Sequence, residues 1–170
     1  MRQSISLVGL TEPRILYFSC ALMYNKKVIE LRIKERNTCM NEQGVKVKIK
    51  LFSTILPTEG EKEAYEMWLQ GSFIEKAGKG YLRYEEVQED TTIRTTIKFD
   101  DNRAIILRGG GVNMRLALNL EMRENGHYDS PYGSLPLLTK THELTMELDK
   151  ISKVSGRFNT QYDLIIGGNS

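Results

Sequence analysis

The sequence predicts an all-β protein, an antiparallel up-and-down barrel of about eight to ten strands. Between residues 45 and 166, apolar residues recur at every second position in short runs. In the run 112–122 every even position is apolar, whereas Ala117 is the single apolar residue at an odd position. A period of two is the side-chain repeat of a strand with one buried face. Turn residues rather than helices separate the runs. Such a meander fits a barrel or a sandwich, and favours a barrel because closure removes exposed strand edges.

The run 63–75 departs from simple alternation at two positions. Gly71 inside the run indicates a bulge or a sharp bend. Trp68 is out of phase with the apolar positions, so we expect it on the outside of the barrel, under the N-terminal segment or at a subunit contact.

The remaining strands follow in order, separated by turn signals except at residues 142–143, where the extended pattern continues. They are expected at residues 45–56, 81–88, 92–99, 103–108, 112–122, 135–142, 143–150 and 157–166. Asn125-Gly126 is the strongest hairpin dipeptide of the chain, so we expect a tight turn there. The inward positions mix large and small side chains, which leaves both a filled and a hollow interior open: Met114, Phe158, Leu118, Ile97, Ala104 and Thr95.

Composition and charge indicate a globular domain with no nucleic-acid or membrane partner. The chain of 170 residues is 40% hydrophobic and 27% charged, with a formal charge of +2. Residues 1–39 hold seven Lys and Arg against three acids, so residues 40–170 carry about −2. A mildly acidic body does not suit a general phosphate-binding surface. The apolar stretch 15–23 is too short to span a bilayer.

Residues 1–39 look different from the rest, and we predict that they are a non-native leader or a disordered or helical extension, with residues 40–170 as the single barrel domain. Codons for Glu35-Arg36-Asn37 can spell a purine-rich ribosome-binding site shortly before Met40. The alternative is an amphipathic helix over residues 26–36. Both cysteines lie in residues 1–39, so the body needs no disulfide, which favours a cytoplasmic location.

No motif in the chain predicts catalysis, a metal or a cofactor. The glycines at 109–111 lack the lysine and hydroxyl residue of a phosphate-binding loop and precede a strand, so they indicate a bent connection. His127 and His142 belong to no ligand-spaced cluster. The serines lack the strand–turn–helix context of a hydrolase. We therefore expect a binding protein rather than an enzyme, with no catalytic residue, no metal and no cofactor.

Two stretches carry groups that could hold a ligand or fix the barrel rim. Arg108 and Arg115 flank the glycine turn, and the loop 128–133 is rich in residues that restrain a backbone. By alternation Arg115 points outward, and Arg108 lies near it if the hairpin register pairs them. Two close guanidinium groups need an anion between them. We expect a carboxylate of the protein, from Glu121 or Asp129, with an external anion as the alternative.

The same stretches resemble a known family. The motifs are Arg108-x-Gly110-Gly111-x-x-Met114-Arg115, then Tyr128-x-Ser-Pro-Tyr132-Gly133-Ser-Leu-Pro136, Leu138-Thr-Lys-Thr141 and Tyr162-x-Leu-x-Ile166. Together they resemble the YwiB-like family of small bacterial proteins, over about residues 44–167. The resemblance implies a calycin-like, lipocalin-like barrel of unknown function, and it carries over no catalytic residue. The candidate ligand-binding residues are Arg108, Met114, Arg115, Tyr128, Tyr132 and Tyr162.

The function predicted from these observations is binding of a small, partly apolar molecule in the barrel or at its mouth. The alternative is a protein–protein interaction module with a packed interior, which includes a homo-oligomer. A third hypothesis is an enzyme that uses Arg108, Arg115 and Tyr132 at the rim on an anionic substrate.

Overall fold

The computed structural model describes residues 21–33, 44–58, 60–88, 90–149 and 155–167. In these residues the chain forms ten strands: β1 (Ala21–Ile33), β2 (Val45–Pro57), β3 (Glu63–Lys76), β4 (Lys79–Gln88), β5 (Thr91–Phe99), β6 (Arg103–Gly110), β7 (Asn113–Asn119), β8 (Glu124–Ser130), β9 (Gly133–Leu148) and β10 (Ser155–Ile166). Each strand pairs antiparallel with its neighbours in the chain, and β1 pairs with β10. The result is a closed up-and-down barrel, which confirms the predicted fold class.

The barrel has two ends that differ in the turns they carry. We call the upper end the one with the β2–β3, β4–β5, β6–β7 and β8–β9 turns, and the lower end the opposite one. Three phenylalanine rings pack in a row near the lower end. The ring centroid of Phe99 lies 6.2 Å from that of Phe73 and 5.8 Å from that of Phe158. All six inward side chains expected from alternation are buried, from Thr95 to Phe158.

The segment Ala21–Ile33 is a strand of the barrel wall. It pairs with β10 along one edge and with β2 along the other, and Ile29 is completely buried. This differs from the expectation of a helix or a disordered extension outside the barrel. The physical reason is that β2 and β10 supply backbone hydrogen bonds to both edges of this segment. Its Val28 and Ile29 are also β-branched, which favours a strand. A translation start at Met40, as the sequence suggests, would remove β1 and leave the facing edges of β2 and β10 unpaired.

The expected tight turn at Asn125-Gly126 is wrong, because both residues lie inside β8. The turn is instead made by residues 120–123, and β7 ends at Asn119. A Cβ atom at Gly126 would collide with the carbonyl oxygen of Arg115 on β7. The glycine therefore serves the close approach of two strands rather than a turn.

The wall between β3 and β4 is only partly hydrogen-bonded. The β3–β4 ladder covers residues 71–76 and 79–84, whereas β3 pairs with β2 from Glu63 to Phe73. Within the described residues, the upper part of β3 therefore has an edge that pairs with no strand. A Cβ at Gly71 would meet the Arg83 carbonyl oxygen and the Ile49 side chain. Glycine is thus required where β3 leaves β4, in agreement with the bend expected from the sequence.

Side chains complete the wall where β7 and β8 separate. The β7–β8 ladder covers only three residue pairs. Beyond it, the Thr139 hydroxyl of β9 donates to the Ala117 carbonyl oxygen at 2.5 Å, and the Asn119 amide of β7 donates to the Thr141 hydroxyl at 3.1 Å. Buried threonines thus link β7 to β9 in place of backbone pairing.

Candidate functional site

Two runs of inward positions line the upper half of the barrel, and both are mostly polar; together we call them the polar belt. Within each run, alternation supplies one inward residue per strand, and the register pairs each member with the next. From β10 through β1 to β3 the members are Thr160, Lys27, Ser53 and Tyr65. From β4 to β8 they are Tyr84, Thr95, Arg108, Met114 and Tyr128. Glu86 and Tyr162 stand one inward step from the belt on β4 and β10. We call the part of the barrel interior that these side chains line the upper chamber.

A buried ion pair lies in the upper chamber. Arg108 Nη2 donates to Glu86 Oε2 at 3.1 Å, and both side chains are 7% exposed. Arg108 points inward because it pairs with Met114, an inward residue of β7. Its Nε is buried and makes no hydrogen bond to a protein atom. A buried ion pair needs its remaining donors satisfied to offset desolvation, and this donor is not.

Lys27 adds a second cation to the upper chamber. The side chain is partly buried, between Ser53 of β2 and Thr160 of β10 in the register. Burial and the neighbouring Arg108 guanidinium lower the pKa of Lys27 from 10.5 to about 8, against an opposing effect of Glu86. Both desolvation and a like charge disfavour the ammonium form. The upper chamber therefore holds an excess of positive charge that the fold itself does not balance.

Tyrosine rings form much of the remaining wall. Burial raises the pKa of Tyr84 and of Tyr162 well above the usual value, and the Glu86 carboxylate and Tyr65, respectively, add to the effect. Burial likewise raises the pKa of Tyr65 and of Tyr128, while Arg108 acts in the opposite direction on both. These hydroxyls stay protonated at neutral pH. They can donate or accept hydrogen bonds, and their rings offer apolar surface.

A cavity of about 240 Å3 opens at the lower end. Its lining includes Phe99, Phe158 and Met146 together with Asp100 and Asp101. Asp100 Oδ1 accepts a hydrogen bond from the Arg103 amide at 3.1 Å, so that carboxylate pins the β5–β6 turn.

Comparison with known proteins identifies the family. A family model described as a domain of unknown function (DUF1934) matches residues 47–170. The chain belongs to this family. The uncharacterized β-barrel protein YwiB of Bacillus subtilis (strain 168) is 25% identical to this DUF1934 member over 114 residues, which is 67% of this chain and 78% of YwiB. The family resemblance drawn from the sequence motifs is confirmed.

A solved structure supports the fold of this DUF1934 barrel. The crystal structure of ywiB protein from Bacillus subtilis matches with a TM-score of 0.53 and 18% identity, over 88% of this chain and 94% of that chain. At this identity the match shows the fold alone. The structural match covers 88% of this chain, whereas residues 47–170 make up less than three quarters of it. The shared fold therefore includes part of the segment before residue 47.

Four of the six candidate site residues meet in the upper chamber of this DUF1934 member. Arg108, Met114, Tyr128 and Tyr162 are each 8% exposed or less, and all point inward. The other two do not join them. Arg115 lies on the outer face, and Tyr132 is 72% exposed in the β8–β9 turn.

The expected juxtaposition of Arg108 and Arg115 is wrong. The register pairs Arg115 with Leu107, so the two arginines lie on opposite faces of the sheet. Their partners also differ from those expected. Arg108 pairs with Glu86, whereas Arg115 Nη1 donates to the Asn125 carbonyl oxygen at 3.3 Å. An offset of one residue in a hairpin register exchanges the faces, and the sequence does not fix that offset.

Sequence reasoning missed Lys27 and Glu86. Lys27 fell in the segment expected to lie outside the barrel. Glu86 follows Leu82 and Tyr84 at every second position of β4, so its inward orientation could be inferred from alternation alone. A charged residue on an apolar face was the available signal.

Within the described part of the chain, no helix is long and apolar enough to cross a membrane. In the same residues, no three side chains of His, Cys, Asp or Glu come together as a metal site.

Proposed function

We propose that this DUF1934 protein binds a small, partly apolar molecule in the upper chamber of the barrel. The observation that carries the proposal is the buried Arg108, whose Nε has no hydrogen-bond partner in the protein. Burying such a donor without a partner costs free energy. A bound molecule that accepts this hydrogen bond would offset the cost.

The composition of the upper chamber suits a molecule with both polar and apolar parts. Polar groups converge from five different strands through Lys27, Ser53, Glu86, Thr95 and Arg108. Tyrosine rings, Met114 and Leu135 supply apolar surface around them. Ligand sites commonly combine such surface with a few directed polar groups.

The number of strands also supports an interior ligand. An eight-stranded barrel is just wide enough for its side chains to fill, and barrel diameter grows with strand number. Ten strands therefore enclose more space at the same side-chain size. A barrel of the calycin type in the cytoplasm is part of the proposal, and the lack of cysteine in residues 40–170 supports that location.

Native mass spectrometry of the protein purified from its own cells tests the proposal. We expect a non-covalent adduct on the wild type and none on Ser53→Met, because the larger side chain fills the upper chamber between Lys27 and Tyr65. Lys140→Met is the matched control, since Lys140 is exposed on the outer face of β9 and its change should leave the adduct in place. Absence of an adduct from every protein, or an adduct that Ser53→Met leaves unchanged, contradicts the proposal.

A second candidate function is association through the open edge of β3. Trp68 is 57% exposed and Val87 is 75% exposed, and they lie on β3 and β4 beyond the point where the ladder ends. Exposed apolar side chains beside an open strand edge favour pairing with another strand, and a second copy of this chain supplies one. Sedimentation velocity over a wide concentration range tests this: Trp68→Glu should abolish a dimer, and a wild type that stays monomeric throughout contradicts it.

A further inference from the structure

We propose that the molecule bound in the upper chamber is a monocarboxylate with an apolar body, whose carboxylate lies between Arg108 and Lys27. This rests on the proposed function and names the class of its ligand. It follows from three features of the upper chamber: its charge, its free donor and its opening through the barrel wall.

The side chains of the upper chamber leave a net charge of one positive unit, which a single negative charge on a ligand would balance. Glu86 and Arg108 are the only charged side chains that are buried among the described residues, and they neutralise each other. Lys27, partly buried beside them, leaves one positive charge over. One carboxylate compensates that charge, whereas a phosphate dianion would replace an unbalanced cation by an unbalanced anion in a poorly solvated space.

The free donor of Arg108 suits a carboxylate. Nη2 is occupied by Glu86, and Nε is buried and unpartnered. A carboxylate oxygen accepts a charge-assisted hydrogen bond from such a donor, and its second oxygen can accept from the Lys27 ammonium. The apolar body of the ligand would then lie against the tyrosine rings and Met114, where burial of apolar surface stabilises the complex.

The break between β3 and β4 supplies a route into the upper chamber. Where the ladder is missing, the wall on the β3 side is made by the side chains of Tyr65, Met67 and Leu69, which are only partly buried. Side chains change rotamer far faster than paired strands separate. Outside this break, Lys48 faces solvent on β2, and its Nζ lies 4.6 Å from the Trp68 ring centroid. Lys50, the next outward lysine of β2, is already paired with Glu66 at 3.2 Å. An exposed cation at an entrance raises the rate at which anions arrive.

A panel of matched probes tests the inference on the full-length protein. Acetate, butyrate, hexanoate, octanoate and 3-phenylpropanoate are compared with their amides and with inorganic phosphate, by thermal melting and titration calorimetry at neutral pH. We expect at least one carboxylate to raise the melting temperature in a saturable manner, and its amide to have no effect. Lys27→Met should weaken carboxylate binding at least about tenfold. Lys98→Met, on the outer face of β5, is the control and should bind as the wild type does.

Arg108→Lys is the second variant, because it keeps the charge but removes the Nε donor. We expect it to weaken the same carboxylate without abolishing folding. The inference is overturned if no carboxylate acts, if the amides or phosphate act as strongly as the carboxylates, or if Lys98→Met loses as much affinity as Lys27→Met. An adduct in native mass spectrometry without any carboxylate response contradicts the ligand class and leaves the proposed function standing. Neither adduct nor response contradicts both.

Discussion

Replacing Lys27 by methionine should stabilise the ligand-free protein at neutral pH. The ammonium lies in the upper chamber beside Arg108, and burial together with that guanidinium lowers its pKa from 10.5 to about 8. Methionine has a similar length and removes the charge that the fold disfavours. This outcome is unusual, since most substitutions at inward positions destabilise a protein.

The magnitude follows from the difference in pKa between the folded and unfolded chain. Each pKa unit corresponds to about 1.4 kcal/mol, so a shift of this size gives a penalty on the order of 3 kcal/mol for the protonated form. Because Lys27 keeps some contact with solvent, we expect about 2 kcal/mol to be measurable. The penalty applies fully below pH 8 and disappears as pH rises toward 10.5, since the folded state loses the proton before the unfolded state does.

Urea denaturation of the wild type and of Lys27→Met at a series of pH values between neutral and 10.5 measures this. The difference in free energy of unfolding should shrink as pH rises. The tyrosines with raised pKa act in the opposite direction above pH 10, where the unfolded state ionises first, and they are present in both proteins, so they cancel in the difference. Lys98→Met is the control. A difference that is independent of pH, or a wild type more stable than Lys27→Met at neutral pH, would refute the reasoning.

Four further outcomes are expected. Glu86→Leu should cost about 3–5 kcal/mol in denaturant titration, because it leaves Arg108 buried and unpaired, and adding Arg108→Met should restore most of that loss. Trp68→Ala should cost less than about 1 kcal/mol, since its ring lies outside and contacts lysines; a loss of core size would contradict its position. Thr139→Val should cost about 1–3 kcal/mol by leaving the Ala117 carbonyl oxygen unpaired, and an unchanged midpoint would show that this hydroxyl does not hold the wall. The intact mass of the protein from its native source should include β1, since a chain that starts at Met40 would leave β2 and β10 with open edges.

Alternation predicted the strands well because it depends on local sequence alone. The inward side chains of β5, β6 and β7 were placed correctly, since each turn between them has a clear signal. Trp68 was placed outside for the same reason. The prediction of a turn failed at a glycine, because glycine serves turns and close backbone approaches alike. Gly126 follows an asparagine, as in a turn, yet it serves a close backbone approach that only the folded chain reveals.

The upper chamber could be predicted only in part. Which strands become neighbours on closure decides which inward residues meet. Lys27 lies close enough to Arg108 to feel its charge because β1 closes the barrel. The pairing of β1 with β10 that closes it joins segments almost a whole chain length apart. The faces of Arg108 and Arg115 depend on a hairpin register that a glycine-rich turn leaves unspecified. Long-range closure and local register are thus the two quantities that sequence patterns did not contain.

The pairing of β1 with β10 also has a consequence for biosynthesis. Residues 21–32 of β1 find their partners at residues 155–166, so a ribosome must make nearly the entire chain before the wall can close. Until then the nascent sheet exposes an unpaired edge at each side, and such edges associate with other chains. Contacts between distant segments also slow folding. A cell that makes this protein would therefore benefit from a chaperone that shields the open sheet until the last strand emerges.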